Sequence, residues 1–243
     1  MVDIHCHILH QFDDGSRSLW ESLEMARMAA DSGVTDLAAT PHFPGTAAAL
    51  ESAGAMGERF RQLSGALEDA HIPIRLHPGA EILCMEDTPA LAKEGLLPTL
   101  GDTSYLLTEF RFDESFGHMD DLLRRIHQAG YIPVVAHPER YDAIRRDPLA
   151  LTSWFRRGYI LQLNKGSVLG AFGSRVEHTA RVLLDAGLVH VIASDGHTAV
   201  RRTPDLSALV RWTERHLHPD YARILLEENP RRILRGDDPI PAD

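Results

Sequence analysis

The sequence predicts an α/β protein with a parallel sheet, folded as one domain over residues 1–243. Three observations lead to this prediction. Short apolar, β-branched runs alternate with longer stretches of helical periodicity, which is typical of repeated βα units. The length of 243 residues suits an α/β barrel, which commonly forms a single domain. Neither an internal repeat nor a long linker interrupts the alternation.

Seven runs have the length and the β-branched, apolar composition of buried strands. These predicted strands are Val2–His5, Thr35–Thr40, Ile74–Ile82, Ser104–Glu109, Ile132–His137, Tyr159–Asn164 and Leu188–Ser194. Because the runs are separated by stretches with helical spacing, we expect neighbouring strands to run parallel.

Two of the predicted helices begin with a capping box, in which a Ser and a Glu three positions later satisfy free backbone N–H groups. The boxes, each with the glycine that ends its helix, are Ser18–Glu21 with Gly33 and Ser174–Glu177 with Gly187. Apolar spacing also predicts a helix over Phe116–Ala129. The C-terminal run Leu206–Leu234 is predicted to be helical, with breaks at Pro219 and Pro230.

Two segments are predicted to lack regular structure. The stretch Pro44–Gly57 is rich in Ala and Gly and follows directly on a strand-end histidine, so we expect an irregular insertion beside that strand end. The tail Gly236–Asp243 is expected to fray.

The composition restricts the classes of function. The net charge of −10 argues against nonspecific nucleic-acid binding, because that binding depends on basic side chains that neutralise phosphates. No apolar run approaches the roughly 18 residues that span a bilayer, and Met1–His5 lacks the character of a signal peptide. Two cysteines are too few for a disulfide framework. We therefore expect a cytoplasmic protein without membrane insertion.

The first predicted strand carries Asp3, His5 and His7 at alternate positions. Because alternate side chains of a strand share a face, the two imidazoles are expected to converge. Asp3 is predicted either to be a hydrogen-bonded strand residue or to hold one of these histidines. A His-x-His pair is weak evidence by itself, so the other strand ends decide its meaning.

Five further predicted strands end in, or run into, a side chain that can bind a metal ion, and Asp14 lies in the first loop. In a closed parallel barrel these carboxyl ends meet at one mouth. The predicted ligands are His5, His7, Asp14, His42, Glu81, Glu109, His137, Asp195 and His197. Each motif alone has an ordinary structural interpretation, such as a turn for Asp13-Asp14-Gly15. Their repeated placement at strand ends predicts a metal centre.

The types of ligand indicate which ions would bind. Imidazole nitrogens and carboxylate oxygens, without a thiolate, suit manganese, iron or zinc better than a structural zinc site made of cysteines. Nine ligands exceed the needs of one ion, so several ions are expected.

In their order along the chain these motifs resemble those of the polymerase-and-histidinol-phosphatase (PHP) family. More narrowly, they are similar to bacterial PHP-type protein-tyrosine phosphatases that act on capsule and exopolysaccharide tyrosine kinases. The matching motifs are Asp3-Ile4-His5-Cys6-His7-Ile8-Leu9, Asp13-Asp14-Gly15, Ala39-Thr40-Pro41-His42, Glu81, Glu109, Ala136-His137-Pro138-Glu139-Arg140-Tyr141 and Ser194-Asp195-Gly196-His197. They span nearly the whole chain, and the resemblance implies a distorted (β/α)7 TIM-like barrel.

The resemblance also implies three divalent ions, commonly manganese. It assigns His5, His7, Glu81 and Asp195 to one ion, Glu81, Glu109 and His137 to a second, and Asp14, His42 and His197 to a third. It further implies that Arg140 and Arg202 contact the phosphate, with the adjacent Arg201 as an alternative to Arg202. The ordinary interpretation of Arg140 is a surface ion pair with Glu139.

The function implied is hydrolysis of phosphotyrosine in a protein, with a bacterial tyrosine autokinase that controls capsule or exopolysaccharide synthesis as the substrate. A hydroxide that bridges metal ions would attack phosphorus, while both arginines bind the non-bridging oxygens. A tyrosine leaving group has a pKa near 10 and needs less protonation than an alkoxide. The lack of an obvious dedicated acid therefore favours aryl phosphates.

Two other functions are compatible with the same motifs. A small-metabolite phosphatase, such as histidinol phosphatase, would use the same metals, and a metal-stabilised module that binds a kinase without turnover is the non-enzymatic alternative. A cysteine-dependent phosphatase is excluded, because the residues six positions after the two cysteines are Phe12 and Ala90, where that mechanism needs arginine. Gly166–Gly173 lacks the Lys-Ser/Thr ending of a P-loop and is predicted to be a flexible βα loop.

The sequence departs from the family pattern at two places. Phe43 stands where many relatives have a second histidine, and His10-Gln11 replaces a frequent Pro-Gly. Neither change removes a predicted ligand, so the departures bear on substrate preference more than on metal binding.

Overall fold

A computed structural model describes residues 1–241 and shows an α/β protein with parallel sheets. The strands are β1 Val2–Cys6, β2 Asp36–Ala39, β3 His42–Pro44, β4 Arg75–Pro78, β5 Glu81–Leu83, β6 Tyr105–Glu109, β7 Ile132–Ala136, β8 Ile160–Asn164 and β9 Val191–Ala193. One sheet has the order β1-β2-β4 and the other has the order β3-β5-β6-β7-β8-β9. All of these pairs are parallel, which confirms the predicted sheet type.

One predicted strand is interrupted, and its neighbour Thr35–Thr40 ends at the same height as β2, with the unpredicted strand β3 beyond it. The run Ile74–Ile82 forms β4 and β5, with a break at Gly79 and Ala80, and β2 is followed after Pro41 by β3. The register is the same on both sides of the break, since Ala39 pairs with Pro78 and His42 pairs with Glu81. The prediction of one continuous strand over Ile74–Ile82 is therefore wrong. The proline that ends β4 and the proline before β3 cannot donate to a ladder, which accounts for the break.

The segment after β9 lies against β1. The backbone N–H of Asp195 donates to the carbonyl of His5 at 2.9 Å, and the N–H of His7 donates to the carbonyl of Gly196 at 2.8 Å. These bonds bring the first and last strands together, so residues distant in sequence share one edge.

The α-helices alternate with the strands as predicted. They are α1 Leu19–Asp31, α2 Ala53–Asp69, α3 Thr88–Lys93, α4 Phe116–Gln128, α5 Asp142–Arg146, α6 Thr152–Arg156, α7 Lys165–Val168, α8 Ser174–Asp185, α9 Ser207–His216, α10 Pro219–Arg223 and α11 Asn229–Ile233. The helix predicted over Phe116–Ala129 is confirmed as α4, one residue shorter. None of the helices within residues 1–241 combines the length and apolar character that a bilayer crossing requires.

The two predicted capping boxes have different outcomes. At the start of α1 the hydroxyl of Ser18 accepts from the N–H of Glu21 at 3.1 Å, which confirms the first box. The helix predicted after the second box exists as α8, but its cap is Gly173 and Ser174 lies inside the first turn, so that box is wrong. Gly173 has a φ of 93°, a conformation that favours glycine, and this turn starts the helix one residue earlier.

Of the two breaks predicted in the C-terminal helical run, the structure has one. Pro219 begins a new helix, α10, as expected. At Pro230 the prediction is wrong, because helix continues from α10 to α11 through a π-helical turn at Ile224–Glu228. A π-turn bonds each N–H five residues back, and Pro230 lies in the first turn of α11, where a missing N–H is tolerated.

All three segments predicted to be irregular are more ordered than expected. The prediction of a flexible loop over Gly166–Gly173 is wrong at its start, which belongs to the helix α7. Most of Pro44–Gly57 is helical, with a 3₁₀ turn at Ala47–Ser52 and the start of α2. In the tail, Asn229 exchanges hydrogen bonds with the backbone of Ile240 at 2.7 and 2.9 Å, so fraying is wrong up to that residue. The tail prediction for Ala242 and Asp243 falls outside the described residues.

Candidate metal centre

The structure brings the nine predicted ligands together at one edge, where β1, β6, β7 and β9 end and where β3 and β5 begin. His5 lies in β1 and His7 directly after it, His42 and Glu81 begin β3 and β5, and Glu109 ends β6. His137 follows β7, Asp195 and His197 follow β9, and Asp14 comes from the loop after β1. The sequence therefore predicted correctly that these side chains meet at one edge.

The buried part of the cluster contains His5, His7, Glu81 and Asp195. The Nε2 atoms of the two imidazoles are 3.3 Å apart, so the rings converge as predicted. Oxygens of Glu81 lie 3.3 Å from Nε2 of His5 and 3.2 Å from Nε2 of His7. Oδ1 of Asp195 lies 3.6 and 3.4 Å from the same two nitrogens. Each of these four side chains is at most 2% exposed.

Glu81 joins this buried part to a second group of donors. Its Oε1 is 2.7 Å from Nε2 of His137, and its Oε2 is 3.1 Å from Nδ1 of His42. The same His42 nitrogen is 2.8 Å from Oε1 of Glu109, which in turn has its Oε2 4.0 Å from His137. Glu81 thus has the central position that the resemblance assigns to a bridging ligand.

The outer part of the cluster is built around Asp14, whose Oδ1 lies 3.6 Å from Nε2 of His42 and 3.5 Å from Nε2 of His197. His7 is close enough to join this group as well. His7 and His42 each belong to two compact groups of donors, whereas the resemblance assigns each of them to one ion. The donor groups therefore share side chains and lie next to one another.

The electrostatics of the cluster favour bound cations. Burial would raise the pKa of Glu81, but the charges and hydrogen bonds of His5, His137 and His42 hold it well below its ordinary value. Asp195 behaves similarly, because the charge of His5 and a hydrogen bond with His7 outweigh burial and lower its pKa. Two buried carboxylates that stay ionised require positive charge beside them.

The pKa values of the histidines show how strongly the surrounding carboxylates favour positive charge in the cluster. Burial lowers the pKa of His7, but hydrogen bonds with Asp13, Asp195 and Glu81 raise it well above its ordinary value. His42 is raised to a pKa of about 10 by Glu109 and Glu81, against the effect of burial. Among the described residues, buried Oδ1 of Asp195 and Nε2 of His197 have no hydrogen-bond partner. These donors fit a site that holds metal ions.

Sequence reasoning missed the residues that orient the ligands. The Asp13-Asp14-Gly15 motif predicts only a turn for Asp13, yet its Oδ2 accepts from Nδ1 of His7 at 2.7 Å and from the backbone N–H of His42 at 2.8 Å. Gln162 and Asn164 lie in a predicted strand and belong to no motif, although their side chains form hydrogen bonds with His5 and Asp195. Their even spacing on a strand directed at the site was the available signal. Partners of this kind fix the orientation of metal ligands.

Asp3 does not hold a histidine ring. Its Oδ1 accepts from the backbone N–H groups of His5, at 3.3 Å, and Ser194, at 3.0 Å. Of the two predicted roles, the hydrogen-bonded strand residue is the one that the geometry supports. Asp3 connects the backbones of β1 and the segment after β9.

Two arginines lie beside the cluster. Nη1 of Arg140 is 3.6 Å from Oδ2 of Asp195, and Nη2 of Arg202 is 2.5 Å from the same oxygen. Arg201 is exposed and lines a surface groove with Arg17. Glu139 is fully buried and accepts from the backbone N–H of Asn164 at 3.0 Å, so the surface ion pair of Arg140 with Glu139 is not formed.

Several site residues have an unusual backbone conformation. His137, Asp195 and Arg202 have φ values of 37°, 50° and 50°, in the left-handed region that non-glycine residues rarely occupy. Such conformations cost of order 1–3 kcal/mol each and concentrate at functional sites. No sequence signal marks them, because none of the three is glycine.

The departures from the family pattern lie outside the donor set. Phe43 is fully buried and belongs to the main hydrophobic core. His10 is 5% exposed and lies 3.5 Å from Nη1 of Arg59, and Gln11 has a φ of 55°. The replaced positions therefore serve packing and a turn next to the site.

This fold and this cluster define an α/β protein whose parallel strands bring together histidine and carboxylate side chains that could hold metal ions. The family described as capsular polysaccharide synthesis, CpsB/CapC, matches residues 1–235, and the chain belongs to that family. The tyrosine-protein phosphatase YwqE of Bacillus subtilis is 37% identical over 237 residues, which cover 97% of this chain and 92% of the relative.

Solved structures agree with this assignment. A structure from work on YwqE of Bacillus subtilis and CpsB of Streptococcus pneumoniae, described as unique metal-dependent tyrosine phosphatases, matches with a TM-score of 0.85. That match has 33% identity and covers 100% of both chains. A protein assigned as a histidinol phosphatase from Listeria monocytogenes matches with a TM-score of 0.50 and 11% identity, over 83% of this chain and 98% of the other. This second match shows a likeness in fold alone.

Proposed function

We propose that this protein is a metal-dependent protein-tyrosine phosphatase. Its substrate would be phosphotyrosine in a bacterial tyrosine autokinase that controls capsule or exopolysaccharide synthesis. The observation that carries the proposal is the convergence of nine histidine and carboxylate side chains beside two arginines. Membership in the CpsB/CapC family and the likeness to the metal-dependent phosphatase YwqE support it.

The donor set suits three divalent cations, with manganese preferred and iron or zinc as alternatives. His5, His7, Glu81 and Asp195 would hold one ion, Glu81, Glu109 and His137 a second, and Asp14, His42 and His197 a third. When bound, such ions supply positive charge for the phosphoryl oxygens and a water whose pKa is lowered to near neutrality. Their charge would also make the site locally positive, whereas the net charge of −10 by itself would repel a phosphorylated substrate.

Arg140 is placed to bind the phosphoryl group. Its guanidinium carbon lies 4.5 Å from the ring centres of both Phe112 and Phe172. Its contact with a carboxylate among the described residues is the 3.6 Å ion pair with Asp195, which is too long for a hydrogen bond and leaves its N–H groups able to donate to non-bridging oxygens. A planar fork of donors matches phosphate and stabilises the charge that spreads over it as the bond to phosphorus breaks.

Arg202 would act from the other side of Asp195, with which it shares a hydrogen bond. Its neighbour Arg201 faces the surface, so Arg202 is the better candidate for phosphate contact. A phenolate leaves with less protonation than an alkoxide, because the pKa of tyrosine is near 10. This chemistry suits a site in which cationic groups surround the phosphoryl group and no dedicated acid is evident.

We also propose that the two sheets are parts of one distorted (β/α)7 barrel and that residues 1–243 form one PHP-type domain. The unchanged register across the break supports counting β2 with β3 and β4 with β5, which leaves seven strands. The bonds between His5, Asp195, His7 and Gly196 support a closed arrangement. The free thiols of Cys6 and Cys84 agree with action in the reducing cytoplasm.

The experiment that tests the function combines metal analysis with a substrate panel. The purified full chain is assayed on a phosphotyrosyl peptide, a phosphoseryl peptide and histidinol phosphate, before and after chelation and after manganese is restored. We expect several equivalents of metal, preference for the phosphotyrosyl peptide, and loss of activity that manganese reverses. Preference for histidinol phosphate would favour a metabolite phosphatase. A metal-loaded protein inert to every substrate would favour a kinase-binding module.

A further inference from the structure

We propose that Phe112 forms the wall of a subsite that binds the phenyl ring of the substrate, which makes it a specificity-determining residue. This inference rests on the proposed phosphatase function and deepens it, because it names the group that distinguishes an aryl phosphate from an alkyl phosphate. Phe112 lies three residues beyond Glu109, in the loop that leaves β6 at the edge where the metal centre lies.

The ring of Phe112 lies next to two residues of the candidate site, His137 and Arg140. Its ring centre lies 6.1 Å from the ring centre of His137 and 4.5 Å from the guanidinium carbon of Arg140. Its backbone carbonyl accepts from the N–H of Asp142 at 2.8 Å, which fixes the loop against the start of α5. The ring is therefore held beside both a predicted metal ligand and the arginine placed for phosphate.

Phe112 is nevertheless 45% exposed, so part of its apolar surface is available to a ligand. Leaving apolar surface in water forgoes about 25 cal/mol for each Å². Aromatic rings also attract one another in offset or edge-to-face arrangements, worth about 0.5–1.5 kcal/mol beyond burial. An exposed phenyl ring beside a phosphate-binding arginine is therefore suited to receive another ring.

The chemistry of the substrate places a ring at that position. In phosphotyrosine a single oxygen joins phosphorus to the aromatic ring, so a phosphoryl group bound by Arg140 keeps the ring close to that arginine. In phosphoserine the same oxygen joins phosphorus to a methylene group, which offers little surface for Phe112 to cover. The contact therefore discriminates between aryl and alkyl esters without a hydrogen bond.

Phe172 provides the matched comparison. Its ring centre lies at the same 4.5 Å from the guanidinium carbon of Arg140 and at 6.0 Å from that of Arg202, and Phe172 is more buried than Phe112. Its ring packs against Gly166, where an added Cβ would come within 2.7 Å of Cε2. Loss of either ring should loosen Arg140, whereas only loss of Phe112 should remove the wall of the subsite.

The test measures binding without turnover. Phenylphosphonate and methylphosphonate, which are not hydrolysed, are titrated by calorimetry into the manganese-loaded full chain and into its Phe112→Ala, Phe112→Leu and Phe172→Leu variants. We expect Phe112→Ala to weaken phenylphosphonate about tenfold, the factor that corresponds to about 1.4 kcal/mol, and to change methylphosphonate by about twofold or less. Phe112→Leu should have a smaller effect in the same direction, and Phe172→Leu should affect both ligands equally.

Two results would overturn the subsite. One is an equal loss of both ligands in the Phe112 variants, which would reduce the residue to a support for Arg140. The other is unchanged phenylphosphonate affinity in Phe112→Ala at an unchanged melting temperature. The proposed function is judged separately, because it fails if the wild-type protein does not hydrolyse the phosphotyrosyl peptide, whatever the phosphonates show.

Discussion

Nδ1 of His5 donates a hydrogen bond to Oε1 of Gln162 at 2.8 Å, and both side chains are fully buried. The amide nitrogen of Gln162 donates in turn to the carbonyl of Leu163 and to Oδ1 of Asn164, which fixes the orientation of the amide. The amide of Asn164 donates to Oδ2 of Asp195. These hydrogen bonds engage Nδ1 of His5 and Oδ2 of Asp195. The other donor atoms, Nε2 of His5 and Oδ1 of Asp195, therefore remain available to the candidate metal centre.

This chain of hydrogen bonds predicts that Gln162→Leu weakens metal binding. The variant keeps the approximate volume of the side chain but removes the acceptor that orients His5. We expect the metal dissociation constant to rise about tenfold to a hundredfold, the usual effect of losing a partner of a metal ligand. Competition with a chromogenic chelator measures the change, and Gln128→Leu at the exposed end of α4 is the control. Equal affinities in the two variants would contradict the assigned role of Gln162.

Arg140 gives a prediction about catalysis. Because the guanidinium of Arg140 is packed against two rings and lies beside the donor cluster, Arg140→Ala should lower kcat/KM for a phosphotyrosyl peptide about a hundredfold, as loss of one charge-stabilising donor does. Metal content and melting temperature should stay near the wild-type values. The matched control is Arg146→Ala, an exposed arginine at the end of α5. Similar activity in both variants would remove Arg140 from the site.

The sequence was sufficient to predict which side chains gather in the donor cluster, but not their surroundings. His5, His137 and Asp195 could be found because each stands at the end of a predicted strand, and parallel strands end at a common edge. The break between β4 and β5 was missed although Pro78 is a local signal for it, because the apolar residues on both sides favour one continuous strand. The π-helical turn before Pro230 also has no local signature, since it depends on packing that the chain makes elsewhere.

Residues that act through others were the hardest to predict. Gln162 and Asn164 are ordinary strand residues until the neighbouring strands are known, because their roles follow from contacts with His5 and Asp195. The same holds for Lys165, whose charged group lies in the interior. Its only sequence context is the start of a loop after β8. Long-range contacts decide such roles, and the local pattern contains none of them.

Lys165 is predicted to position Arg202. Lys165 is 9% exposed, and its Nζ donates to the backbone carbonyls of Thr203 and Asp205, one and three residues after Arg202. Lys165→Met should lower kcat/KM about tenfold by releasing this segment, with metal affinity unchanged. The decisive measurement is the double variant with Arg202→Ala. If Lys165 acts through Arg202, the second substitution adds little to the loss caused by Arg202→Ala, whereas independent roles would give additive losses.

His190 predicts how stability depends on pH at a place remote from the donor cluster. Its side chain is 6% exposed, its Nδ1 accepts from the N–H of Leu161 at 3.1 Å, and its ring stacks on Phe155 with 4.9 Å between ring centres. Burial lowers its pKa from 6.5 to about 4, so the folded protein keeps this ring neutral.

Between these two values the unfolded chain binds more protons at His190 than the folded protein does, so stability must fall as the pH decreases. The contribution of His190 is fully present above about pH 6.5, and roughly 2 kcal/mol of it is lost by about pH 5.

In His190→Asn the amide oxygen can still accept from Leu161, but the position no longer titrates. Urea unfolding of both proteins at about pH 7.5 and about pH 5 should therefore show the larger loss of unfolding free energy in the wild type. The histidines of the metal centre are common to both proteins and cancel in the comparison. Parallel pH dependences would mean that the His190 ring already accepts a proton in the folded state.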